Sequence, residues 1–336
     1  MTILFIGPLK AEFVKNDIAI LSSKYKLILH DTTIGRGPAA LFSLIASYIK
    51  SCFKVLKSDI VYCWFADYTT SAPAMFAKII GKKVFVVAGG FDVGYVPELN
   101  YGAWTKPFRR FCVKNTFRFA TKIFPVSEHA CRELSDRMQA KHPPATVIYN
   151  CINANKFEKY LLPEIEKKIV LTVSRAEDYT EYILKGSDKF IRIASLMPDV
   201  SFVLAGLQGE ALKLAKEAGK GLDNIQIIPG WLNLFEELVP LYKSASCYCQ
   251  FSLEESFGLA VVEAMLFGAV PIVSNRAALP EVVGECGFVV SDDEAEIQSA
   301  IRNGLLENEN ERKKYKKHSS EFDISIRASS LLKEFE

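Results

Sequence analysis

Short apolar runs alternate with longer amphipathic ones along nearly the whole chain. "TILFIG" reads as a strand, a helical period follows over 11–23, "KLILHD" is the next strand, and 38–57 is helical. "DIVYCWF" precedes a helix at about 70–80. Then come "KKVFVVAGG", a basic and aromatic segment at 101–120, "KIFPVS", a helix at 128–139 and the strand "ATVIYN". Near 155–168 the pattern turns polar, "NKFEKYLLPEIEKK", and the alternation begins again. "IVLTVSR", "SFVLAG", "IQIIPG", "SCYCQF", "VPIVS" and "GFVV" are its strands, with helices at 186–196, 209–219, 233–244 and 258–267 between them. Strands separated by helices of this length predict βαβ units and parallel sheets, here in two successive series. The expected division is a first Rossmann-like domain over 1–160 and a second over 161–319. In open parallel sheets ligands bind beyond the carboxyl ends of the strands, so a cleft between two such domains is the expected site.

A length of 336 residues, more than one hydrophobic core usually fills, agrees with two domains. No run approaches the roughly 20 apolar residues of a membrane span. The start, "MTILFIGPLKAEF", lacks a basic leader and a small-residue cleavage site, and reads as a buried strand. The eight cysteines form no CxxC pair or zinc-finger spacing, and His30, His129, His142 and His318 form no metal pattern; reduced thiols and a cytoplasmic location are expected. Charge is unevenly placed. Residues 1–150 hold 20 Lys and Arg against 10 Asp and Glu, a balance of +10; with +2 for the whole chain, the remainder carries −8. The first half therefore either meets something anionic or solvates its helix faces with basic residues.

One carboxylate is out of place. Glu263 sits among Val261, Val262, Ala264, Met265 and Leu266, eight positions after Glu255. The helix that holds it starts at Gly258, where the backbone can approach a ligand and the first-turn N–H groups suit a phosphate. An ionised acid inside that helix needs a partner. Two partners stay open: a core Lys or Arg, or a vicinal diol such as the ribose of a nucleotide. Glu255, in the preceding loop, either faces a sugar beyond the phosphates or is a dipole-favoured acid at a helix start. Arg175 ends the strand "IVLTVSR" and Lys185 follows in "YILKGSDKF"; together they suit a departing diphosphate.

On these residues, "ESFGLAVVEAM" with "SR" and "KG", the chain resembles the family 4 glycosyltransferases of GT-B fold. The resemblance implies an α/β protein of two Rossmann-like domains whose parallel sheets face each other across a cleft. It implies a last helix, about 320–336, that packs back on the first domain. Glu255 and Glu263 match the family's E-x7-E motif, which implies contacts to the transferred sugar and to the ribose, respectively. Phe257, Gly258 and Leu259 would meet the diphosphate through their backbone, and Arg175 and Lys185 match the basic pair. The stretch at Gly230 and Trp231 falls where the family contacts the nucleotide base. The implied reaction is sugar transfer from a nucleotide sugar to an acceptor hydroxyl of a glycan, a lipid-linked sugar or a small molecule. It proceeds with retention and without a metal or other cofactor.

The first domain departs from the pattern. The family's His-Gly-x-Asp stretch is "AGGFDVG" here, with Gly90 and Asp92 matching and Gly89 in place of the histidine. Asp92 is alternatively a turn or capping acid. The first loop, "GPLKAEF", lacks the usual double glycine, and Gly7 remains for a donor phosphate or the acceptor. These departures keep a non-catalytic nucleotide-sugar or glycan-binding module open. A dinucleotide dehydrogenase is disfavoured because the glycine fingerprint is missing. "SDDE" at 291–294 reads as a solvated turn into a helix and not as a metal site. The segment "YGAWTKPFRRFCVKNTFRFATK" either touches an anionic membrane surface, which would make the protein peripheral on the inner face, or packs Phe108, Phe111 and Phe119 onto its own sheet. Their helical spacing favours packing. No nucleic-acid module accompanies the basic charge.

Overall fold

The computed structural model describes residues 1–34, 40–161 and 169–336, apart from the side chains of Ala40 and Leu41. The start of the helix expected from 38 and the end of the polar joint at 155–168 lie outside the described residues. The chain forms two compact units, Met1–Cys151 with Ile324–Glu336, and Ile152–Asp323.

The first unit runs β1 (Thr2–Gly7), α1 (Glu12–Ser22), β2 (Lys26–Asp31), α2 (Ala40–Leu56), β3 (Ile60–Trp64), α3 (Tyr68–Ile79), β4 (Lys83–Ala88), α4 (Pro107–Phe119), β5 (Lys122–Pro125) and α5 (Glu128–Arg137). Its sheet has the order β2-β1-β3-β4-β5, and every pairing is parallel. Covered on both faces, β1 is apolar throughout: Ile3, Leu4, Phe5 and Ile6 are fully buried. The chain reverses direction across the sheet after β2, so right-handed crossovers send α1 to one face and α2, α3 and α4 to the other. Accordingly α3 packs against both α2 and α4, while α1 packs against the C-terminal helix Ile324–Lys333.

"ATVIYN" is not a strand. It follows β5 through Ile123 N–H to Pro144 O, Thr146 N–H to Ile123 O and Ile148 N–H to Pro125 O, with a single β-bridge at Ala145. Pro125, the last residue of β5, has no N–H to give the Thr146 carbonyl, so the parallel ladder stops after one bridge.

A buried ion pair holds the C-terminal helix. Asp17 of α1, fully buried, accepts from Arg327 Nε (2.6 Å) and Nη2 (2.8 Å), the Tyr62 hydroxyl (2.6 Å) and Trp64 Nε1 (2.6 Å). Arg327 Nη1 donates to the carbonyls of Ile148 and Tyr149, both at 2.8 Å.

The second unit carries β6 (Ile169–Ala176), β7 (Phe202–Leu207), β8 (Ile225–Pro229), β9 (Ala245–Gln250), β10 (Val270–Ser274) and β11 (Phe288–Val290) in the order β11-β10-β9-β6-β7-β8, again all parallel. The first three strands build outward from β6 in one direction, and β9 to β11 build outward in the other. The crossovers therefore diverge between β6 and β9, opening a crevice at their carboxyl ends. Both units are parallel-sheet Rossmann-like domains.

Candidate active site

The loops after β6 and β9 bring Lys185 and Glu255 of the second unit into contact at that crevice. Lys185 follows the helix Tyr179–Leu184, and Gly186 behind it has φ +67°. A Cβ there would stand 2.3 Å from the Phe251 carbonyl oxygen, so only glycine lets this turn press on the chain leaving β9. Leu253 N–H donates to Leu184 O at 2.8 Å and stitches the two loops. As a result Lys185 Nζ lies 2.8 Å from Glu255 Oε2, although 70 residues separate them. Gln250 Nε2 donates to the same oxygen at 2.8 Å, and the Ala278 N–H to the Glu255 carbonyl at 3.1 Å.

Gly258, with φ +97°, precedes the helix Leu259–Leu266, and Leu279 packs close over it. Phe257 is buried edge-on against Phe322, ring centres 5.3 Å apart, so its side chain serves the core. Leu259 opens the first turn of the helix. Glu263, half-buried one turn on, accepts from the Tyr242 hydroxyl at 2.9 Å. Burial, then the charge of Glu263, holds that hydroxyl well above its ordinary pKa, so it stays a donor.

Arg175 is exposed at the end of β6, its guanidinium 4.5 Å from the centre of the Trp231 ring. The two line a recess of ≈ 240 Å³ with Val173, Gly206, Leu232 and Leu238. At 291–294, Asp293 caps the helix Glu294–Leu306, and Asp292 pairs with Lys189 and Arg276. Among the described residues no group of three or more His, Cys, Asp or Glu is arranged to hold a metal.

In the first unit, Gly7 ends β1 where a Cβ would stand 2.9 Å from Trp64 Cβ, so close approach of β3 accounts for the glycine. Asp92 is buried; its Oδ1 accepts from the N–H groups of Gly89 (3.1 Å) and Gly90 (2.9 Å), and its Oδ2 from that of Ala66 (3.0 Å). It therefore ties the loop after β4 to the loop after β3. The space beside Gly89 is occupied: a Cβ there would lie 2.3 Å from the ring of Phe65, whose own φ is +70°. A side chain at Gly89 would thus run into an aromatic ring from the neighbouring loop.

Burial lifts the Asp92 carboxyl from 3.8 to about 6 against the pull of its backbone donors. A raised carboxyl favours the folded state when protonated. Its contribution is full below the ordinary carboxylate range and lost as pH rises through about 6. A carbon-13 carboxyl titration should place the Asp92 midpoint near 6; a midpoint at or below 4 would refute the assignment.

Phe108 and Phe111 do not pack onto the sheet. They are 67% and 62% exposed, and the buried side of α4 is Cys112, Val113, Thr116 and Phe117. The 3.6-residue period holds over α4, but periodicity alone does not say which face turns inward. Tyr242, Gln250 and Phe65 were missed. Gln250 carried a signal, as the one amide closing an otherwise buried strand; Tyr242 and Phe65 carried none.

The chain is similar to several curated proteins. It is 28% identical over 180 residues to the phosphatidyl-myo-inositol mannosyltransferase of Mycobacterium tuberculosis, covering 50% of this chain and 47% of that protein. It is 29% identical over 200 residues to the serotype-specific mannosyltransferase WbdA of Escherichia coli, covering 53% and 24%. The matched part is thus less than half the length of these relatives. Among solved structures, Anabaena HepE in complex with UDP and glucose superposes with a TM-score of 0.73 over 100% of this chain and 99% of that one, at 16% identity, a likeness of GT-B fold. The glycosyl transferases group 1 family matches residues 154–322, which contain every site residue of the second unit, and the chain belongs to that family.

Proposed function

We propose that the protein is a retaining glycosyltransferase of the family 4 type, moving a sugar from a nucleotide sugar to an acceptor hydroxyl without a metal ion. The observation that carries this reading is the Lys185–Glu255 contact at the carboxyl ends of β6 and β9, directly ahead of the Gly258-led helix. The leaving diphosphate meets Arg175, Lys185 and the backbone of Phe257, Gly258 and Leu259, which offset the charge that grows as the glycosidic bond breaks. Glu255 contacts the transferred sugar, and Glu263, oriented by Tyr242, takes the ribose diol. The base lies in the recess with Trp231. Gly7, Gly89, Gly90 and Asp92 shape the acceptor side. The mannosyltransferase relatives support mannose as the transferred sugar, and the phosphatidyl-myo-inositol enzyme among them supports a lipid-linked or glycan acceptor.

A thermal-shift screen of UDP-, GDP- and ADP-sugars tests the donor site. The matching nucleotide should raise the melting temperature, with about 2.7 kcal/mol of stabilisation at a hundredfold excess over Kd. Glu263→Ala should weaken that affinity about tenfold or more, the worth of a hydrogen bond to a charged group. No response to any nucleotide would sink the donor site. A shift without release of nucleoside diphosphate across a broad acceptor panel would leave a binding module instead.

A further inference from the structure

Gln250 is an amide at a place where the sheet needs none. Side chains of β9, "ASCYCQ", alternate between two faces, and Ser246, Tyr248 and Gln250 share one of them. Gln250 is only 6% exposed, at the crevice end of an inner strand. Taking an amide out of water is unfavourable unless its polar atoms find partners, whereas an apolar side chain would suit the core there. The amide has to be explained by what it holds.

Both polar ends of the side chain are occupied. Nε2 donates to Glu255 Oε2 at 2.8 Å and to Ser252 Oγ at 3.3 Å, and Oε1 accepts from the Tyr248 hydroxyl at 3.4 Å. Burial holds that hydroxyl far above its ordinary pKa, so it stays protonated. Ser252 is fully buried and fixed in turn, its carbonyl accepting from Ser274 Oγ at 2.8 Å. These partners decide which way the amide faces. Flipped, it would set its carbonyl oxygen against a carboxylate and its N–H groups against the tyrosine.

The consequence falls on Glu255. Lys185 Nζ and Gln250 Nε2 both reach Oε2, and among the described residues none donates to Oε1. The carboxylate is divided, one oxygen held by the protein and the other open to a ligand hydroxyl. Its two holders differ in kind. Lys185 is a cation that a diphosphate also attracts, so its hold on Oε2 weakens when a diphosphate is engaged. Gln250 is neutral, draws no phosphate and is pinned by its own neighbours.

We propose that Gln250 is a positioning residue for sugar transfer, fixing Glu255 with Oε1 presented to a hydroxyl of the donor sugar while Lys185 turns to the diphosphate. This rests on the donor-site reading above, and the tests keep the two apart.

Gln250→Met keeps the length of the side chain and removes both donors. With GDP-mannose and UDP-glucose offered as donors, it should lower kcat for release of nucleoside diphosphate about tenfold or more, the effect of losing a hydrogen bond to a charged group. GDP and UDP, which carry no sugar, should raise the melting temperature of wild type and variant alike. Gln250→Glu separates orientation from packing. Ionised, the introduced carboxylate repels Glu255; protonated, it restores a donor in the same place. Its activity relative to the wild type should therefore rise about tenfold or more between about pH 8 and about pH 6, which a packing role would not produce. Should Gln250→Met fold poorly, this pH dependence decides alone. The proposal is overturned if Gln250→Met keeps the wild-type kcat, or if the Gln250→Glu ratio stays flat with pH. If no nucleotide raises the melting temperature of the wild type, the donor-site reading fails first and this inference falls with it.

Discussion

Lys185→Ala is expected to lower kcat for sugar transfer about 10²–10³-fold, the usual cost of removing one group aimed at charge that develops in the transition state. In the resting protein Lys185 Nζ is held 2.8 Å from Glu255, and Gly186 and the Leu184–Leu253 hydrogen bond fix where that ammonium sits. On the proposed donor reading, a diphosphate bound beside Arg175 would meet an ammonium already in place. If Lys185 acts mainly on the breaking bond, kcat should fall much further than KM rises. Glu255→Gln should also be slow. Because the two side chains touch, the double variant should lose far less than the product of the single losses. Steady-state kinetics on the three variants, with melting temperatures as a control, checks this. A drop in kcat below about threefold for Lys185→Ala would remove it from the reaction.

Arg327→Leu should destabilise the first unit by about 3–5 kcal/mol, because it breaks a buried pair and leaves Asp17 charged among Tyr62 and Trp64. For a unit of this size that corresponds to a melting temperature lower by roughly 10 °C. Two backbone carbonyls, those of Ile148 and Tyr149, lose their donor in the same substitution. Adding Asp17→Asn should restore part of the loss, since no unpaired charge then remains inside. Denaturant unfolding followed by tryptophan fluorescence reads the result, with Trp64 as a reporter in contact with the pair. A loss under about 1 kcal/mol would mean that apolar packing, not the ion pair, fastens the C-terminal helix.

Much of this protein is legible along the chain. Strand and helix periods are local, so "TILFIG" and "VPIVS" declare buried parallel strands without knowledge of their neighbours. The strand–loop–helix setting of Glu255, Gly258 and Glu263 and the positions of Arg175 and Lys185 follow from the same local order. Two expectations failed where the decision was not local. "ATVIYN" has the composition of a strand, but the missing N–H of Pro125 in the neighbouring β5 leaves it a single bridge. Phe108 and Phe111 keep a helical spacing, and the packing of Cys112, Val113 and Phe117 decided that they face outward.

The sequence by itself determined two parallel-sheet domains and named the acids and cations of the candidate site, because period and chain order are properties of neighbouring residues. Only the tertiary structure decided who meets whom. The divergence of crossovers between β6 and β9 brings Lys185 to Glu255, the fold sets Tyr242 against Glu263, and Phe65 fills the place over Gly89. It also turned the apolar side of α2 outward, since a helix's period records that it has two faces and only its neighbours choose which one is buried.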